Sequence, residues 1–370
     1  MIKLFEPSVD FRENEEVLDV LQSGTLARGL KVEEFERELA SRLGKEHAVA
    51  LSNGSSALHL SVRSMGWKEG DKIFTSPYSF IAVPNSLLYE KCQPVFGDVD
   101  YDLQLTPEST VDALERDTDI KGVILPHMLG KDACLEKWQD VLDIHPEVSV
   151  IEDASQTFAP REYGLSVGKI GSAVIYSFHQ NKIITTGGEG GGLVTNDPAV
   201  AERARSEREH GLMRHPDWQN KISIGFNYRM TELQAAVGVA QLEKLDDVLR
   251  RREDLAQRYT ERLQDNANIY LPAMDRKSWF GFYIEAEDES LIPGVSFALA
   301  KNNIEFKVNP FPVLPHFRHI RELVGDDVAK RYNKLARRAA RIILLPLHPN
   351  LRQTDVDYIC EVIDDAITTS

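Results

Sequence analysis

The chain has 370 residues, 42% hydrophobic and 27% charged, an ordinary globular balance with room for one large domain and a smaller one. Its 43 basic against 58 acidic side chains leave a formal charge of −15, which opposes non-specific binding to nucleic acid or to an anionic membrane surface. Three scattered cysteines (Cys92, Cys134, Cys360) suggest neither disulfides nor zinc, the start Met1–Pro7 lacks a signal-peptide pattern, and no apolar run could span a bilayer, so a reduced, cytoplasmic protein is expected.

Short apolar strands alternate with amphipathic helices over the first two-thirds of the chain, the pattern of a mostly parallel sheet covered on both faces. Residues 32–43 read as a helix with Val32, Phe35, Leu39 and Leu43 on one stripe. Residues 47–51 form a buried-type strand, and Ser52-Asn53-Gly54-Ser55-Ser56 turns from it into a helix carrying Leu58, Val62 and Met65. Further strands are predicted at 72–75, 94–96, 122–125, 148–151, 173–176 and 192–195, the last closed by a turn at Asn196-Asp197-Pro198. One long helix is predicted over 231–263, with Leu233, Ala236, Val237, Val239, Ala240, Leu242 and Leu245 inward. The charge-dense run Asp246 to Asp254 reads as its solvated face. The expected division is a large domain, 1–245, and a smaller α/β domain, 246–370.

Two residues in this frame carry chemistry. Asp153 ends the run Val148-Ser149-Val150-Ile151-Glu152-Asp153, at the carboxyl end of a strand, where open α/β sheets place ligands. Lys182 follows the next strand in Ser177-Phe178-His179-Gln180-Asn181-Lys182, and between Gly171 and Thr195 the only other Asp, Glu, Lys or Arg is Glu189. A desolvated lysine is a usable nucleophile. An amine that can form a Schiff base, with a carboxylate that can hold a pyridinium nitrogen protonated, is what pyridoxal phosphate (PLP) chemistry requires. The turn Asn53-Gly54-Ser55-Ser56 offers hydroxyls and free helix-start N–H groups to a phosphate, although serine there is also an ordinary helix cap. Ser177 could add a hydroxyl, and Phe80 could stack on a ring or simply join the core. His179 and His127 lie near these motifs, and His127 reads equally well as a structural histidine. The run Gly187-Gly188-Glu189-Gly190-Gly191-Gly192 leads into a strand rather than a helix, so it is not a dinucleotide fingerprint. His316 and His319 lack partners for a metal site, and no metal is expected.

Taken together, these segments resemble the DegT/DnrJ-type sugar aminotransferases, PLP enzymes of the aspartate aminotransferase fold (fold type I), nearly end to end. The matching segments include Asn53-Gly54-Ser55-Ser56-Ala57, Pro126-His127-Met128-Leu129-Gly130, Glu152-Asp153-Ala154-Ser155-Gln156, Ser177 to Lys182, Gly225-Phe226-Asn227-Tyr228-Arg229-Met230 and Leu345-Pro346-Leu347-His348-Pro349. The resemblance implies a large domain with a mostly parallel sheet sandwiched by helices and a smaller C-terminal α/β domain. It also implies that Lys182 is the Schiff-base lysine and proton shuttle. Asp153 would pair with the ring nitrogen, Gln156 would meet the ring hydroxyl, and Gly54, Ser55, Ser56 and Ser177 would hold the phosphate. Phe80 would stack on the ring, and Asn227 would reach the phosphate from the other subunit of a homodimer. His179, Arg229 and His316 are candidate substrate contacts, and the segment Phe306 to His316 is expected to border the sugar site. The implied reaction moves an amino group from glutamate or glutamine to a keto sugar, in a nucleotide-linked form, for amino-sugar biosynthesis. Thr157 and Ala159 depart from the usual alanine and glycine. Relatives that dehydrate carry histidine at the lysine position, so Lys182 argues against that branch. The alternatives are amination of a keto-cyclitol such as scyllo-inosose, a PLP-binding regulator without turnover, and a nicotinamide-dependent sugar enzyme, which would need a glycine fingerprint this chain lacks.

Overall fold

The computed structural model describes residues 1–133, 135–158, 160, 167–212, 224–275 and 278–368. Cys134 and Ala159 lie outside them. Seven strands form the larger sheet: β1 (His47–Leu51), β2 (Lys72–Thr75), β3 (Gln93–Phe96), β4 (Ile120–Pro126), β5 (Ser149–Asp153), β6 (Ala173–Ser177) and β7 (Gly191–Thr195). Their order is β1-β7-β6-β5-β4-β2-β3. Pairings are parallel from β3 through β6, and β7 runs against both neighbours, β6 and β1. The chain passes from β6 to β7 without a crossover helix, through a loop that folds back on itself, and the two strands pair antiparallel. Along β5, Asp153 stands opposite Pro126 of β4 and Ile175 of β6, which places the strand ends of the motif segments along one edge.

Helices cover both faces. Leu30–Leu43 lays Val32, Phe35 and Leu39 on one face, where the Phe35 ring meets Phe178 edge-on at 5.4 Å. Each such fully buried side chain contributes about 1.5–3 kcal/mol. Gly54–Ser64 buries Leu58, Leu60 and Val62 against β1 and β2 residues on the other face. Asp197 caps helix Pro198–Arg208, so the expected turn serves as a helix start with proline in the first turn.

The long predicted helix is broken. Glu232–Glu243 and Leu245–Leu263 meet at Lys244, whose backbone sits at φ −101°, ψ 10°. The Lys244 side chain is buried and held by Glu13 at 2.6 Å and Asp10 at 3.2 Å, and Glu13 also accepts from Gln241. Ion pairing with a distant helix, which no local periodicity records, turns the chain here. The charged run that follows is solvated at Asp247, Arg250 and Asp254 but not at Arg252, which is buried and donates from Nη1 to the carbonyl oxygens of Trp279, Phe280 and Leu347. Its stem and guanidinium join segments that lie far apart in the chain.

Leu245–Leu263 passes from the core of the large sheet, through Val248 and Leu249, to a second core, through Leu255, Tyr259 and Leu263. That core packs beneath a four-stranded antiparallel sheet of β8 (Ile269–Tyr270), β9 (Phe282–Ala286), β10 (Lys307–Val308) and β11 (Ile342–Leu345), in the order β10-β11-β9-β8. Helices Leu291–Lys301 and Gln353–Thr368 add further apolar side chains, as do Trp279, Ile304, Leu347 and Leu351 between elements. Among the described residues no helix is long and apolar enough to cross a membrane.

Candidate active site

The end of β1 turns into helix Gly54–Ser64 through Asn53, whose Oδ1 accepts from the Ser56 N–H at 2.8 Å and from the Ser56 hydroxyl at 3.0 Å. The first N–H groups of the helix, at Gly54 and Ser55, have no helical acceptor and, with the helix dipole, favour an anion. Gly54 lies close against Ser177 at the end of β6: a Cβ on it would sit 2.8 Å from the Ser177 Cβ. Gly191 of the glycine run packs against the same turn. A Cβ on Gly191 would come within 2.2 Å of the Asn53 carbonyl oxygen, so β7 passes directly beneath the turn.

Between β6 and β7 the lysine loop folds back on itself. Phe178 N–H donates to Gly190 O at 2.8 Å, Gln180 N–H to Gly188 O at 2.9 Å, and Lys182 N–H to His179 O at 2.8 Å. Thr185 and Thr186 hydroxyls add bonds to Phe178 O and Glu189 O. Lys182 is therefore presented from a braced loop. One side of it faces a cavity and protein surrounds the rest; that burial pulls its amine down to about 8, against the opposing pull of the Asp153 and Glu189 carboxylates. Asp153 is buried, with Oδ1 accepting from the Ser155 N–H at 3.0 Å and no hydrogen bond on its other oxygen among the described residues. Gln156 is buried too, its Oε1 accepting from the Leu129 N–H at 3.0 Å. Leu129 holds the left-handed conformation at φ 56°, an uncommon state for leucine.

Gly54, Ser55, Asp153, Gln156, Ser177 and Lys182 line one cavity of about 650 Å³, with His179 and the half-exposed Phe80 at its wall. The small sheet side contributes Lys307, Phe280, Phe311 and Leu344, and the chain's first segment contributes Phe5. Four of the expected residues stand elsewhere. The Ser56 hydroxyl is within 3.2 Å of Ser52 Oγ and turns into the Asn53 cap. Arg229 Nε donates to Asn227 Oδ1 at 3.0 Å and pairs with Glu209, outside this cavity. His316 lies 2.9 Å from Ala329 O in a short helical turn. His127 is structural: its Nδ1 accepts from the Ala133 N–H at 3.2 Å, so Nε2 donates to Glu152 at 3.0 Å. Glu152 also accepts from the N–H groups of Gly168, Ile170 and Gly171. Burial raises its pKa, but these bonds and His127 outweigh that and hold it below the usual carboxylate value.

Sequence reasoning missed Phe5, Phe280 and Lys307. Lys307 alone left a trace, inside the segment expected to border the sugar site. Thr157, one of the two departures from the family pattern, is buried, and its hydroxyl has no hydrogen-bond partner among the described residues.

The donor set suits PLP. A buried carboxylate with a free oxygen, a desolvated amine and a helix-start cradle narrow enough that a single Cβ would fill it all face one space. The chain is 30% identical to GDP-perosamine synthase of Vibrio cholerae over 98% of both proteins. It is 37% identical, over 71% of this chain and 68% of the relative, to EpsN of Bacillus subtilis, whose provisional name is pyridoxal phosphate-dependent aminotransferase. Its structure superposes on Helicobacter pylori PseC, an aminotransferase involved in the biosynthesis of pseudoaminic acid, with a TM-score of 0.88 and 26% identity over all of both chains. The model of the DegT/DnrJ/EryC1/StrS aminotransferase family matches residues 7–364, and the chain belongs to that family.

Proposed function

We propose that this protein is a PLP-dependent aminotransferase that moves an amino group from glutamate or glutamine to a keto sugar carried on a nucleotide. The observation that supports this most directly is the pairing of the Lys182 amine with the Asp153 carboxylate on one cavity, above the Gly54 cradle. Bound there, the cofactor supplies an electron sink and a temporary carrier for the amino group. Asp153 would hold the ring nitrogen and Gln156 the ring hydroxyl. The N–H groups of Gly54 and Ser55, with the Ser177 hydroxyl, would hold the phosphate, with Ser56 bracing the turn from behind. Phe80 would cover a ring face. Lys182, with an amine near 8, takes and returns a proton close to neutral pH, as a general acid–base group must.

Asn227 and Arg229 lie outside the cavity of their own chain and would serve that of a second copy in a homodimer. Across the cavity from the cofactor residues, Lys307 is the cation the small sheet offers, and a diphosphate-linked sugar supplies an anion for it where a free cyclitol does not. GDP-perosamine synthase among the relatives favours the same choice. A cytoplasmic location suits the free thiols of Cys92 and Cys360.

The test is half-transamination. PLP-loaded protein is mixed with glutamate or glutamine, conversion of the cofactor to its amine form is followed by absorbance, and keto-sugar nucleotides or scyllo-inosose are then supplied. Return of the aldehyde form with a keto-sugar nucleotide is expected, and Lys182→Ala should abolish it. Return with scyllo-inosose alone would overturn the substrate, and wild-type turnover by Lys182→Ala would overturn the site.

A further inference from the structure

Residues 2–7 open the chain yet are fastened to its C-terminal third. Ile2 N–H donates to Asn303 O at 2.8 Å, Glu305 N–H to Ile2 O at 2.9 Å, and Leu4 N–H to the Glu305 carboxylate at 2.9 Å. Leu347 N–H donates to Leu4 O at 3.4 Å, His348 Nε2 to Lys3 O at 3.2 Å, and Asn350 Nδ2 to Pro7 O at 3.3 Å. These clips set Phe5 into the cavity wall. Its ring centroid lies 5.3 Å from that of Phe280, tilted by 42°, and the Phe280 centroid lies 5.1 Å from Lys182 Nζ. Phe5 precedes the residues matched by the family model, which begin at 7.

We infer that Phe5 is a positioning residue: clipped in place by the strap 2–7, it backs Phe280 over the Lys182 ammonium and shuts that side of the cavity to water. The inference rests on Lys182 being the reacting amine of the proposed function. Two effects compete at this amine. The ring face attracts the ammonium and favours the charged form, while exclusion of water disfavours it. Burial already outweighs the two carboxylates, Asp153 from β5 and Glu189 from the glycine run, which draw the amine upward, and leaves it near 8 instead of 10.5; Phe280, whose ring faces the ammonium, stays in place when Phe5 is changed. The other titratable groups on the cavity are His179 and Lys307. Removing the Phe5 ring admits water beside the amine and so moves its titration up.

The experiment uses the full chain freed of PLP, because a Schiff base would block the Lys182 amine. Trace acetylation with acetic anhydride is followed across pH, and mass spectrometry reads the extent at Lys182 alone. The midpoint, normalised to the high-pH plateau, is the quantity compared, because opening the wall also changes access. A wild-type midpoint near 8 is expected. Phe5→Ala should raise it by about one pH unit, a roughly fivefold drop in normalised labelling at pH 8, and Phe5→Leu should restore most of the shift. A Phe5→Ala midpoint that stays or falls, or a wild-type midpoint near the ordinary lysine value, overturns the inference. Should Phe5→Ala fail to fold, Glu305→Ala removes an exposed side chain that accepts from Leu4. Loss of that negative charge alone would lower the midpoint, so a rise supports the strap, and no rise overturns it. Turnover by Lys182→Ala would defeat the proposed function instead, and the labelling midpoint, read without turnover, decides the strap separately.

Discussion

Replacing Gly191 by alanine places a methyl group against the backbone of the turn that opens helix Gly54–Ser64. That Cβ would lie 2.2 Å from Asn53 O, 2.4 Å from Asn53 C and 2.7 Å from Gly54 N. Non-bonded carbons settle at about 3.5–4.0 Å, so the strand and the turn must part by roughly 1 Å. All three neighbours are backbone atoms, and no side chain can rotate aside. Overpacking of this kind costs about 1–3 kcal/mol, more than the roughly 0.4–1 kcal/mol that a Gly-to-Ala change returns through the unfolded chain. Carried by the phosphate cradle, and at about 1.4 kcal/mol per tenfold, that cost weakens PLP binding by about 5- to 140-fold. The assay is a spectrophotometric PLP titration of the cofactor-free chain, with Gly325→Ala as control. Gly325 has φ +90° and nothing within 4 Å of an added Cβ, so its variant carries backbone strain away from the cradle. Folded Gly191→Ala that binds PLP as tightly as wild type would refute the close approach as a determinant of the cradle.

Three further outcomes follow from the same geometry. Asp153→Asn should retain PLP yet slow half-transamination by at least about 100-fold, because the amide cannot stabilise a protonated ring nitrogen; a mild effect would assign that task to another group. Lys307→Gln should raise KM for a keto-sugar nucleotide by about tenfold with little change in kcat, the loss of one charge-assisted contact, and an equal rise for scyllo-inosose would remove Lys307 from phosphate recognition. Glu152→Gln should destabilise the fold by about 3 kcal/mol at neutral pH, since a buried carboxylate with four donors is lost. The folded-state pKa of Glu152 lies below the ordinary 4.5, so its contribution is present above 4.5 and fades as pH falls through the depressed value. The gap between wild type and variant in denaturation should therefore begin to shrink as pH falls below 4.5 and close below the depressed value, and a gap independent of pH would contradict the assignment.

Local pattern alone determined much of this protein. The strand at 47–51, the strand at 72–75 and the turn between residues 52 and 56 were readable because apolar runs, glycines and cap residues act within a few positions of themselves. The unusual setting of Lys182 was readable for the same reason, as was the place of Asp153 at a strand end. Only the tertiary structure decided what lies across from them. Lys244 breaks a continuous helical pattern because its partners, Glu13 and Asp10, sit at the other end of the chain. Arg252 belongs to a charged run yet is buried, since its acceptors are carbonyls of three distant residues. Gly191, which opens β7, owes its identity to the backbone of Asn53, and Phe5 and Lys307 reach the cavity through contacts that no period in the chain encodes. Periodicity records which face of an element is buried, whereas the identity of the atoms on the far side is settled by how the elements pack.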